Sequence, residues 1–429
     1  MTNDWESVAL ESLIEPGRGI SYGIVQPGSP VSGGVPIVRV GDVRNGRIAT
    51  SDPLRVAPAI EASYSRTRLS GGELLLTLVG TVGETAVVPE SLKGWNTARA
   101  VAVIPVRKDV GAYWVQMALR APGVRAIIDS RLNTTVQATL NLGDVAQLPI
   151  VLPPLREREA IAHILGTLDD KIELNRRMNE TLEAMARTLF KSWFVDFDPV
   201  RAKAEGRDPC LPKPLADLFP DSFEDSELGE IPNGWEVGTL ADVAALNPES
   251  WSKVTRPATI NYVDLSNTKW GRIESVTTHT RQDAPSRAQR VLRSGDTVVG
   301  TVRPGNGSYA FVTEERLTGS TGFAVLRPQR HEYREYVYIA ATTAENIEEL
   351  AHLADGAAYP AVRPEVVAAT VSIQPPDFVL TSFAKTAGPL LARIAASDRE
   401  SRTLAALRDT LLPKLISGEL RIKPRGRNP

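Results

Sequence analysis

Nine lysines and arginines crowd into residues 251–303 of this chain: Lys253, Arg256, Lys269, Arg272, Arg281, Arg287, Arg290, Arg293 and Arg303. Only Asp264, Glu274, Asp283 and Asp296 oppose them, leaving a local net of +5. Clustered cations attract phosphate locally, whatever the sign of the whole chain. The whole-chain balance is −2, and residues 191–236 carry a local net of −6. A solvated surface of strands and loops is the alternative reading of the basic stretch. Other residue types offer no catalytic constellation. The sequence has no Walker A loop and no G-x-G-x-x-G motif, so neither phosphate cradle is expected. Amino-methyltransferases carry Asn/Asp-Pro-Pro-aromatic, but Leu152-Pro153-Pro154-Leu155 and Gln374-Pro375-Pro376-Asp377 lack both outer residues. Asp169-Asp170-Lys171 falls within a helical pattern and reads as surface charge, not as a nuclease site. Cys210 and the four histidines are scattered, so no metal site is expected.

The elements that must position these residues come in two copies. Residues 153–194 and 375–416 align without a gap at an offset of 222, with Pro153-Pro154 on Pro375-Pro376 and Leu182 on Leu404. Ahead of them, Trp5-Glu6 corresponds to Trp235-Glu236, and Gly46-Arg47-Ile48 to Gly271-Arg272-Ile273. The order is globular unit, helix, globular unit, helix. The helical copies agree closely and the globular copies diverge, which suggests one mechanical task and two recognition tasks.

Both helical segments carry a heptad. In the first, the seam columns are Ile161, Leu168, Asn175, Leu182, Leu189 and Leu165, Ile172, Asn179, Ala186, Trp193. In the second they are Phe383, Leu390, Ser397, Leu404, Leu411 and Ala387, Ile394, Ser401, Arg408, Leu415. Steps of four and three mark a coiled coil. Its polar layers, Asn175/Asn179 and Ser397/Ser401, should meet if the helices pair antiparallel. Pro389 should kink or delay the second helix. A helix over residues 157–194 would measure roughly 57 Å.

The globular units, residues 1–152 and 235–374, show short β-like runs broken by Gly, Pro, Asn and Asp, with helices expected at Ala112–Leu119 and Tyr333–Leu353. An α+β unit with a curved, largely antiparallel sheet follows. Spacer helices occupy 153–196 and 375–418, an exposed, acidic, Pro-rich linker with at most a short helix 197–234, and a basic flexible tail 419–429. At 429 residues the chain can hold two cores. It has no apolar run of membrane-spanning length, no secretory pattern at the N-terminus, and one cysteine, which fits a reducing cytoplasm.

These residues carry a resemblance. The chain is similar to the specificity subunits of bacterial type I restriction-modification systems. The likeness rests on Leu152-Pro153-Pro154-Leu155-x-Glu157, Ile161, Leu168-Asp169-x-Lys171-Ile172, Asn175, Asn179, Leu182-Glu183, Leu189-Phe190 and Trp193-Phe194. Residues 194–206 and Leu228-Gly229-Glu230-Ile231-Pro232-x-Gly234-Trp235 extend it. Arg158 replaces the family's usual Gln, and Pro376-Asp377-Phe378 replaces the usual Pro-Leu-x-Glu start. The resemblance implies two target recognition domains separated by two long helices in an antiparallel coiled coil. Each domain would read one half of a bipartite, asymmetric site in double-stranded DNA. Two modification subunits would dock on the helices, with restriction subunits joining them. S-adenosylmethionine, ATP and Mg would belong to those partners and none to this chain, which would not itself be an enzyme.

Base readout suits forked or amide side chains, whereas phosphate contact needs only a cation or a small donor. On that basis the loop candidates in the first unit are Arg44, Asn45, Arg47, Arg66, Arg68, Lys93, Asn96 and Arg99. In the second they are Asn267, Lys269, Arg272, Arg287, Arg290, Arg303, Asn306 and Tyr309, with the turn Arg303-Pro304-Gly305-Asn306-Gly307 foremost. Two rivals stand beside this reading: the specificity chain of a two-component enzyme with a fused nuclease-methylase partner, and a coiled-coil scaffold that reads no DNA.

Overall fold

The computed structural model describes residues 5–132, 138–252, 254–356 and 359–422. Lys253 and most of the basic tail, residues 423–429, lie outside the described residues. The chain divides into two compact units, Met1–Glu173 with Ser401–Pro429 and Leu174–Glu400. Each boundary falls inside a long helix, so each unit holds one recognition fold and a stretch of both helices.

In the first unit, an antiparallel sheet runs in the order Ser21–Tyr22, Val101–Ile104, Leu74–Thr77, Thr85–Val87. Its two central strands are buried throughout. Alternate side chains of a strand point to opposite faces, and here each face has its own core. Leu74, Leu76, Ala102 and Ile104 pack toward Trp114 and the long helices. Leu75, Val101 and Val103 pack toward Val38, Val43 and Leu92. That second core is backed by a small mixed sheet in which Val35–Val38 pairs antiparallel with Leu54–Val56 and parallel with Asn96–Thr97. Strand Glu6–Ala9 pairs with Pro149–Leu152, bringing the start of the unit to the foot of the first long helix.

The second unit repeats this plan. Its antiparallel sheet runs Ala244–Leu246, Phe323–Pro328, Thr297–Gly300, Tyr309–Phe311. Its mixed sheet runs Thr277–Thr280, Thr259–Val263, Leu317–Ser320, Ala288–Leu292, with a parallel pair between the two middle strands. The strand Glu236–Thr239 pairs with Val371–Gln374 as its counterpart does. Each unit is therefore built around two larger sheets, one of them with a parallel pair, where a single curved sheet was expected. The expected helix Tyr333–Leu353 is two helices, Arg334–Ala341 and Ala344–His352. Thr342 leaves the helical region, and the Thr343 hydroxyl caps the second helix by accepting from the Asn346 N–H at 3.1 Å.

The long helices span Leu155–Phe194 and Asp377–Ile416. Pro389 does not delay the second: it lies inside a continuous helix. Its ring is exposed, so its clash with the preceding turn falls on the solvent side, while buried Ala387 and Leu391 hold the inner face. In the first unit, Ile161 and Leu165 share a core with Leu412, Leu415 and Ile416, and Leu168 and Leu411 pack at its edge. In the second, Phe190, Trp193 and Phe194 pack on Phe383, with Leu189, Leu390 and Ile394 beside them. The start of one helix meets the end of the other in both units, so the pairing is antiparallel. None of the expected seam residues is exposed: Ile172, Leu182, Ser401, Leu404 and Arg408 are half-buried and the others are as deep or deeper.

Of the expected polar layers, Asn175 meets Ser397. Asn175 Nδ2 donates to Glu400 Oε2 at 2.9 Å and to the Ser397 carbonyl at 3.4 Å. Asn179 Nδ2 donates to Asp398 Oδ1 at 2.6 Å. Asp169 is more than surface charge: it accepts from Arg408 Nη1 at 2.7 Å and from the Tyr113 hydroxyl at 2.8 Å, tying both helices to the first recognition fold.

The segment 197–234 is also a correction. It folds into helices Asp198–Ala204 and Lys213–Ala216 and a hairpin of Phe223–Ser226 with Gly229–Pro232. Val200, Phe219 and Ile231 are buried in the second unit's aromatic core, where Phe219 meets Trp193 edge-on at 5.0 Å. The acids face water while isolated apolar residues anchor the segment. Among the described residues, no helix is long and apolar enough to cross a membrane.

Candidate nucleic-acid interface

The same two-residue hairpin sits in the same place in both units. In the first, Val43–Arg44 and Arg47–Ile48 are joined by Asn45-Gly46, with φ of 52° and 83°. In the second, Thr268–Lys269 and Arg272–Ile273 are joined by Trp270-Gly271, with φ of 45° and 87°. Positive φ at both positions is the type I′ pattern that matches strand twist. Each glycine bridges in parallel to an alanine in the last strand of the antiparallel sheet, Gly46 to Ala86 and Gly271 to Ala310.

Around the first turn, Arg44 and Asn45 are exposed. Arg47 is half-buried: Nη2 donates to the Asp169 carbonyl at 2.8 Å and Nε lies 3.3 Å from Glu173 Oε2. Arg66, Lys93 and Arg99 are exposed on separate loops. Arg68 is exposed but ion-paired with Glu61. Asn96 is a correction to the loop reading, because it is buried inside a strand. Its Nδ2 donates to Glu61 Oε1 at 3.0 Å and its Oδ1 accepts from Thr67 at 2.7 Å. The Arg68 guanidinium, ahead of the Asn96 amide, holds the Glu61 carboxyl below the usual carboxylate range. Asn96 organises the loop and cannot reach a base.

Around the second turn, Lys269 and Arg272 are half-buried, with Lys269 Nζ 3.4 Å from Ser308 Oγ. Arg303 and Asn306 are exposed at the ends of the short turn Pro304–Asn306. Arg303 takes a left-handed φ of 49°, and its guanidinium lies 4.8 Å from the centre of the exposed Tyr359 ring. Tyr309 is the second correction: it is buried, edge-on to Trp270 at 6.0 Å, with the Arg187 guanidinium 6.0 Å away. Asn267 is half-buried, and Arg287 is exposed in the turn that precedes the strand Ala288–Leu292. Arg290 is half-buried, donates to Ser250 Oγ at 3.2 Å, and has its pKa lowered by that burial. Sequence reasoning missed Trp270 and Tyr359. The repeat held the signal for Trp270, since extending the Gly46/Gly271 match back one residue sets Trp270 on Asn45.

The turns thus gather Arg44 and Asn45 in one unit, and Lys269, Trp270, Arg303 and Asn306 in the other. They offer cations and amides. Among the described residues, no group of three His, Cys, Asp or Glu could hold a metal.

Comparison with known proteins agrees with this layout. The family model for the type I restriction modification DNA specificity domain matches residues 3–184. The HindI type I restriction enzyme specificity subunit of Haemophilus influenzae is 25% identical over 351 residues, covering 69% of this chain and 74% of that one. The MjaIX specificity subunit of Methanocaldococcus jannaschii is 26% identical over 361 residues, covering 82% and 78%. A crystal structure of the S subunit of a type I restriction-modification system from M. genitalium shares the fold, with a TM-score of 0.56 at 15% identity over 97% of each chain. In its repeated folds and antiparallel long helices, the chain is similar to type I restriction-modification specificity subunits.

Proposed function

We propose that each recognition unit reads one half of a bipartite, asymmetric DNA site, and that the long helices dock the adenine-methylating and restriction subunits. The observation that carries this is the repeated hairpin turn, presented identically and filled differently. A repeated seat with different side chains suits two different half-sites. Docking has its own support. Leu174 and Met185 on the first helix and Leu407 on the second are exposed, 60%, 52% and 47% respectively, outside the seam. Apolar side chains in such places suit partner helices.

S-adenosylmethionine, ATP and Mg then act on the partner subunits, in the cytoplasm where the DNA is. With basic residues concentrated in one stretch and a chain total of −2, few phosphates are neutralised and the isolated chain should bind DNA weakly. Reconstitution tests the reading. The purified chain should show no methyltransferase, nuclease or ATPase activity and weak DNA binding. Adding the modification subunit should produce sequence-specific binding and adenine methylation. Methylation by the chain alone would overturn the assignment. Activity only with a fused nuclease-methylase would favour the two-component relative, and no sequence preference with any partner would leave a scaffold.

A further inference from the structure

Trp270 is out of place as a turn residue. The first position of a type I′ turn demands positive φ, which favours Asn, Asp or Gly and penalises bulky side chains. The equivalent residue of the first unit is Asn45, the expected type. Trp270 nevertheless adopts φ 45° and keeps 59% of its surface exposed. Strain held at an exposed aromatic that fills no core needs a reason outside the fold.

Its setting supplies one. A Cβ built on Gly307 would lie 2.5, 2.6 and 2.6 Å from Cδ2, Cε2 and Cε3 of Trp270. Three ring atoms at nearly equal distance mean that the indole lies flat over Gly307. The Trp270 N–H donates to the Gly307 carbonyl at 2.7 Å, fixing the hairpin to the Arg303–Gly307 turn. One indole face is therefore seated, and the exposure belongs to the other. Arg303 and Asn306 are exposed on the same turn as Gly307, and the pocket that Trp270 lines also holds Arg187 and Glu348. An open aromatic face packed on a turn that carries an exposed arginine and asparagine fits a nucleotide: the ring stacks on a base or its sugar while the arginine can meet phosphate.

We propose that Trp270 is a DNA-contacting, specificity-determining residue of the second unit, stacking on a nucleotide ring of the half-site that unit reads. This rests on the DNA-reading function proposed above. The first unit makes no such contact, because Asn45 holds the same seat with an amide.

The test uses the complex with its modification subunits and three chains: wild type, W270N and W270F. W270N installs the residue of the equivalent turn, which tolerates this backbone, so its unfolding midpoint should equal or exceed that of wild type. Cognate duplex should bind about 5- to 150-fold more weakly to W270N, the range expected for one stacked base. The salt dependence should not change, because no phosphate contact is removed. Methylation mapping should show the second unit's half-site relaxed and the first intact, and W270F should recover part of the loss. Fluorescence of wild type minus W270N should be quenched by cognate duplex. If wild type itself shows no bipartite motif, the underlying function falls and this inference with it. If wild type shows one and W270N matches it in affinity and motif, Trp270 does not touch DNA and the inference alone is overturned. A lowered midpoint with both half-sites equally weakened would also overturn it, by making Trp270 a structural cover.

Discussion

In the first unit the hairpin turn shows solvent an asparagine, and the candidates around it are polar, two of them ion-paired: Arg68 with Glu61 and Arg47 with Glu173. In the second unit the same turn shows a tryptophan, backed by Tyr309 and neighboured by Arg303 over Tyr359. The sheets, the alanine bridge and the register of the turn are held in common. The comparison separates two kinds of information. Strand pairing and the helix seam set where a side chain is presented. The side chain sets the chemistry presented there. One scaffold can therefore be duplicated and its two copies diverge without disturbing either core.

The largest expected effect tests the common part. Leu165 and Ala387 hold equivalent seam positions, one in each unit, and both are buried. Leu165→Asp or Ala387→Asp places an unpaired carboxylate there, and each should destabilise its own unit by about 3 kcal/mol or more. Amide hydrogen exchange should show the loosening confined to the mutated unit. Unchanged exchange in that unit would break the equivalence of the two seats.

A smaller effect tests the divergent part. Arg303→Ala should cost about 1–3 kcal/mol of discrimination at the second unit's half-site if the guanidinium forks onto a base, while the first half-site stays as it was. A uniform affinity loss with a shallower salt dependence would instead make Arg303 a phosphate contact.

The smallest concerns the polar brace of Glu61, Arg68 and Asn96 in the first unit. Arg68 and Asn96 hold the folded-state pKa of Glu61 below its ordinary value of 4.5. A depressed carboxylate contributes stability above the unfolded pKa and loses it as pH falls through the folded one. Urea unfolding should therefore show wild type more stable than Glu61→Gln at neutral pH. The gap should narrow as pH drops through and below the carboxylate range. A gap independent of pH would mean that the ion pair plays no part.

How much of this was legible in the sequence depends on the period of each element. The seam was legible because a heptad over forty residues repeats five times, and the partners Asn175 and Ser397 could be paired by offset alone. The strands of the antiparallel sheets were legible as apolar runs such as Leu74-Leu75-Leu76. Asn96 was misread as a loop residue because it sits in a strand of two residues, too short to show a period, whereas the run from Tyr309 reads as a strand but does not show that the Tyr309 ring is buried. Phe219 and Ile231 lie singly among acids and prolines, so the segment that carries them read as exposed. Trp270 could be seen only by trusting the repeat one residue beyond its identical positions, since its strained φ is a property of the backbone.

The central claim is that recognition is divided, one half-site to each unit. Exchanging residues 235–374 for the matching unit of a relative leaves the first recognition fold and both long helices intact. Single-molecule methylation mapping of a host carrying the exchanged chain with its modification subunits should show a bipartite motif. One half should be unchanged and the other replaced. A single continuous motif, or a change in both halves, would contradict the division of labour.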